Sequence, residues 1–157
     1  MLNELQRRMV GHGALMLLMA MVAGVGLLVS VLGGFEVWPG HILPIDLPSN
    51  PSGWVRTHVG GILNALLVMV VALLVPGLGF AEDKARRLAL LVLGTGWANT
   101  LFYWAAMLAP NRALSFGDNR LGAASWAGVV GLLPALLFVL LSMFAVGAIA
   151  RQALRSR

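Results

Sequence analysis

The chain of 157 residues has no cysteine, only six acidic residues and a single tyrosine. Without cysteine there is no disulfide, no thiolate nucleophile, no iron–sulfur ligation and no covalent c-type haem attachment, so any metal ligand must be a His, carboxylate, Tyr or carbonyl group. Charged residues are scarce at 11%, against 59% hydrophobic residues and a mean hydropathy of +0.87. The apolar residues come in long blocks, neither alternating nor amphipathic, which is the composition of an integral membrane protein. The net charge of +5 does not point to nucleic acid. Its basic residues stand at the ends of apolar blocks, where topology determinants stand, and no basic stripe with stacking aromatics is present.

Four apolar blocks predict four spanning helices, over residues 9–33, 57–80, 88–109 and 122–150. The first block, of about 25 residues, is too long for the core of a cleavable signal peptide and reads as a retained helix. Between the first two helices, Pro39, Pro44, Pro48 and Pro51 with Gly40 and Gly53 stop helix formation, while Trp38, Ile42, Leu43, Ile45, Leu47 and Trp54 predict a packed cover loop. Glu82 to Arg87 reads as a compact charged turn, Pro110 stops the third helix, and Pro134 is tolerated inside the fourth. The expected fold class is all-α, an integral membrane four-helix bundle forming one domain over 1–157. Arg7, Arg8, Lys84, Arg86, Arg87, Arg151, Arg155 and Arg157 fall on one side, against Arg56, Arg112 and Arg120 on the other. The positive-inside rule then puts both termini in the cytoplasm, and Trp38, Trp54, Trp104 and Trp126 form an aromatic belt at the opposite interface.

Polar side chains inside a spanning segment need a partner, a wet cavity or a ligand, because hydrocarbon offers none. In Thr57-His58-Val59-Gly60-Gly61-Ile62-Leu63-Asn64, His58 and Asn64 flank glycines, with Gly61 angularly between them. The glycines admit either a neighbouring backbone or a flat ligand. On the third helix Thr95, Asn99 and Tyr103 recur at i, i+4, i+8 and form a stripe. Antiparallel helices at about 1.5 Å per residue put Asn64 and Tyr103 at one depth, in the wall of a cavity with His58 at its edge. His12 reads as an interfacial or packing residue and His41 as a solvated one. A lone histidine cannot hold a zinc ion, whereas haem needs only one protein ligand, and Arg56, Arg112 and Arg120 are suited to pair with its propionates. A lipid-packed structural bundle fits the same residues.

The chain resembles the styrene oxide isomerase family of small four-helix membrane enzymes. The resemblance rests on Gly11-His12-Gly13, Leu32-Gly33-Gly34-Phe35-Glu36, Pro39-Gly40, Gly53-Trp54-x-Arg56-x-His58, Leu63-Asn64, Gly96-Trp97-Ala98-Asn99, Phe102-Tyr103 and Pro110-Asn111-Arg112-x-Leu114-x-Phe116-Gly117, in order and at similar spacing. It implies a homotrimer in the bacterial inner (cytoplasmic) membrane that holds ferric haem b near a subunit interface and converts aryl epoxides to aldehydes by a redox-neutral Meinwald rearrangement. It further implies that His58 is the axial iron ligand, that Asn64 and Tyr103 line the epoxide pocket, and that Asn99 lies beside it. Thr95 departs from the pattern, which has an aspartate there. Gly61 and Arg112 are the further cofactor-binding residues expected. The alternative reading is a small membrane b-type cytochrome or haem-sensing protein using the same His58, and a third is an assembly subunit without cofactor.

Overall fold

The computed structural model describes residues 2–48 and 50–155, which form helices α1 (Glu4–Leu32), α2 (Pro51–Gly77), α3 (Glu82–Leu108) and α4 (Trp126–Ala153) and one hairpin, β1 (Gly34–Trp38) with β2 (His41–Pro44). All four helices are long and apolar enough to cross a membrane.

Three helices begin before the apolar blocks do, because their polar leaders are caps and first turns. Asn3 and Gln6 form a capping box on α1, each side chain accepting from the other's backbone N–H at 2.9 Å. α2 starts at Pro51, six residues earlier than expected. Proline at the first helical position gives up an N–H that would be unpaired anyway, and the Asn50 side chain accepts from Gly53 N at 3.2 Å. The expected turn over Glu82 to Arg87 is instead the first turn of α3, where Glu82 and Asp83 oppose the positive end of the helix dipole. α4 begins later than expected, at Trp126, behind the Ser125 cap.

The segment expected as a packed cover is largely an exposed antiparallel hairpin, with Gly34 opposite Pro44, Phe35 opposite Leu43 and Glu36 opposite Ile42. Gly40 makes the turn at φ 79°, and its N–H donates to the Glu36 carboxylate at 2.7 Å. Trp38 is 73% exposed, whereas Trp54, expected in the loop, is in α2 and buried against Gly26 of α1.

α1 packs on α2, α2 on α3 and α3 on α4, around Met9, Met16, Val68, Val75, Leu88 and Val92. Glycines set the close approaches. Gly94 takes the Phe138 ring, and Gly131 lies on Phe102 and Ala105. α4 leans on α3 and not on α2 along most of its length; near the terminal end, Gln152 Nε2 donates to Leu78 O at 3.0 Å. On α3, Leu88, Val92 and Thr95 are accordingly buried, while Asn99 and Tyr103 nearer the hairpin end are half-buried. α2 and α4 thus both pack on α3 rather than on each other, and Asn99 and Tyr103 lie on the α3 face toward α2.

Candidate functional site

α2 carries functional side chains on two different faces. His58 faces α1, with its Nδ1 2.8 Å from Ala20 O. A carbonyl oxygen only accepts, so Nδ1 carries a proton, and in the neutral imidazole Nε2 is then the nitrogen with the lone pair that a metal ligand requires. Gly24 makes room for the ring, since a Cβ there would lie 2.7 Å from it. Gly61 is buried on the same side against Ala20, so its open flank admits a helix in the single chain and not a flat ligand.

The other face meets α3. Thr57 Oγ1, buried, is shared between Gly53 O at 3.0 Å and Tyr103 O at 3.2 Å, which ties the two helices together. Gly60 lies under the Tyr103 ring, where a Cβ would come within 2.5 Å of it. One turn further from the hairpin, Asn99 Nδ2 donates to Asn64 Oδ1 at 3.2 Å. Asn64 is 8% exposed and its Nδ2 has no hydrogen-bond partner among the described residues. A buried orphan donor costs about 1–3 kcal/mol unless something accepts from it. Thr95, the first member of the stripe, is spent on its own helix, donating to Leu91 O at 2.8 Å.

Two expectations change. Asn64 sits opposite Asn99, a turn deeper than Tyr103, because α2 starts six residues earlier than the depth estimate assumed. Nor do His58 and the Asn64–Asn99–Tyr103 group share one cavity within the chain: His58 and the Gly60 position under Tyr103 are about 200° apart on α2 at ~100° per residue.

At the hairpin end of the α2–α3 seam, Arg56 and Arg112 flank a cavity of about 270 Å³ with Asn50 and Pro110. Arg112 and Ala113 adopt left-handed backbone (φ 57° and 53°), held by the fully buried Asn111. Asn111 Nδ2 donates to Ser115 O (2.9 Å) and Gly117 O (3.1 Å), and its Oδ1 accepts from Ala113 N (3.1 Å). Arg120 is exposed in the loop beyond. A larger cavity of about 490 Å³ lies at the terminal end between Gln6, Met9, Pro76 and Phe80, remote from all these groups. His12 is exposed and accepts from Trp97 Nε1 at 3.2 Å, a packing role, and His41 is exposed on the hairpin. Sequence reasoning gave no role of their own to Asn111 and Ala20, and did not tie Gly24 to His58. For Asn111 the signal was a carboxamide directly after a helix-ending proline; a carbonyl partner such as Ala20 O leaves none.

The sequence profile of styrene oxide isomerases matches residues 5–154, nearly the whole chain. The chain belongs to the styrene oxide isomerase family. It is 43% identical over 156 residues to a styrene-oxide isomerase of Pseudomonas fluorescens, covering 99% of this chain and 92% of that protein. Membership at this coverage makes the chain an isomerase. For the haem expected of the family, the donor set is one imidazole whose Nε2 has no hydrogen-bond partner among the described residues and whose Nδ1–H is anchored on a backbone carbonyl, the outer-shell arrangement by which haem-bound and metal-bound histidines are held. The residues fit a group that needs a single protein ligand.

Proposed function

We propose that this chain isomerises aryl epoxides such as styrene oxide to aldehydes within the membrane, as a homotrimer with ferric haem b held by His58 Nε2. The observation that carries the reading is the 2.8 Å contact of His58 Nδ1 with Ala20 O, which leaves Nε2 as the coordinating nitrogen. Haem held there would supply Lewis-acid chemistry at the epoxide oxygen.

The chain's own groups then account for selectivity. Tyr103 Oη and the orphan Asn64 Nδ2 donate hydrogen bonds to the epoxide oxygen, where negative charge grows as the benzylic C–O bond opens. The apolar residues around Asn64 and Tyr103 keep water away from the carbocation at the carbon beside the ring, which would otherwise be trapped as a diol. A 1,2-hydride shift to that carbon then gives the carbonyl, with no net oxidation and no general base. Because His58 and the Asn64–Tyr103 wall lie on different faces of α2, the site is formed between subunits, the imidazole of one meeting the wall of the next. Arg56 and Arg112 at the mouth of that wall pair with the cofactor's carboxylates.

Purified protein should show a Soret band that His58→Ala abolishes or strongly weakens. Haem-free wild-type protein that still isomerises styrene oxide would overturn the haem assignment. A substrate deuterated at the migrating position should retain its label in the aldehyde; washout would show enolisation or hydration instead.

A further inference from the structure

The Asn64 carboxamide has two ends of opposite hydrogen-bonding character, and only the NH₂ end can stabilise a developing alkoxide. Nothing on α2 itself decides which end is left free. The described partner is Asn99, which presents its own Nδ2 to Asn64 Oδ1 at 3.2 Å. That bond occupies the acceptor end and leaves Asn64 Nδ2, buried and without a partner among the described residues, as the free one. Thr95, a turn away on α3, cannot substitute because its hydroxyl is already given to Leu91 O.

We infer that Asn99 is a positioning residue that selects the reactive orientation of Asn64: by donating to Asn64 Oδ1 it turns the Asn64 NH₂ toward the substrate oxygen. The inference rests on the proposed contact between Asn64 and the epoxide. It accounts for two carboxamides at one level where one would suffice to touch substrate. Reversing the polarity at position 99 reverses the end of Asn64 that is left free. An ionised carboxylate there accepts from Asn64 Nδ2 and leaves Oδ1, an acceptor, against the epoxide oxygen. A protonated carboxyl donates its O–H to Asn64 Oδ1 and restores the native orientation. The other titratable groups on the surrounding helices near this level are Tyr103, Arg56 and His58, with Arg112 at the end of α3; the acidic residues of these helices, Glu4, Glu82 and Asp83, are all at the terminal end.

The test compares full-length wild type with Asn99→Asp, Asn99→Gln, Asn99→Leu and Asn64→Ala in lipid nanodiscs, measuring kcat and KM for styrene oxide from pH 5 to 9. Asn99→Asp should lose roughly 10–100-fold in kcat at high pH, the scale of a lost or inverted oxyanion donor, with a smaller change in KM, and should recover relative to wild type on acidification. Asn99→Leu should be impaired at all pH values, and Asn99→Gln, which keeps the donor, should retain more activity than Asn99→Leu. An Asn99→Asp profile parallel to wild type, or Asn99→Gln no better than Asn99→Leu, overturns the positioning role even where one variant folds poorly. Asn64→Ala with undiminished kcat would instead overturn the underlying contact between Asn64 and substrate.

Discussion

Gly60 shows how much a single absent methyl group decides. Alanine there would gain about 1 kcal/mol of helix propensity, but its Cβ would stand 2.5 Å from the Tyr103 ring, and overpacking of that kind costs about 1–3 kcal/mol. The steric term wins, so Gly60→Ala should displace Tyr103 and lower kcat about tenfold or more, as misplacement of a positioning group does. A variant with wild-type kcat and unchanged Tyr103 fluorescence or crystallographic position would show that the ring is not held by this contact. At this scale the candidate residues themselves were legible. His58, Asn64, Asn99 and Tyr103 stand out because hydrocarbon cannot satisfy them. Their partners were not legible, since Ala20 O and the Asn64–Asn99 pairing depend on which helix faces meet, and a backbone carbonyl looks the same at every position of a sequence.

At the scale of elements, the proline positions were read correctly as irregularities but not always as the right kind. Pro51 begins α2, and Pro76, near the other end, lacks the N–H that Ala72 O would accept from four residues on. Gln6 of α1 makes good that loss, its Nε2 donating to Ala72 O at 3.1 Å. Gln6→Leu should therefore leave a part-buried carbonyl unpaired and lower stability by about 1–3 kcal/mol, read as a lower thermal midpoint with kcat unchanged. An unaltered midpoint would mean that solvent or a lipid headgroup reaches the carbonyl. The hairpin is the other lesson. Its alternation was masked by Pro39, Gly40 and Pro44 in a segment rich in apolar residues, and burial could not be inferred because strand pairing between Gly34–Trp38 and His41–Pro44 leaves both faces of a two-stranded ribbon largely uncovered within the chain.

For the whole molecule, the decisive fact is that α2 presents His58 toward α1 and Asn64 toward α3. If one site is built from two subunits of a trimer, His58→Ala and Tyr103→Phe chains should complement each other. Random mixing in equal amounts would regenerate about a quarter of the sites with both residues intact, by the symmetry of a closed ring. Co-purified mixed trimers no more active than either parent would place the whole site within a single chain. The sequence by itself determined the four apolar spans, the polar residues that interrupt them and the family, because hydropathy and residue chemistry are local properties. Only the tertiary structure decided which of those residues face one another. Helix phase sets which neighbour each side chain of α2 meets, so His58 turns to α1, Asn64 to Asn99, and Gly61 closes on Ala20 as a packing glycine and not as the floor for a flat ligand.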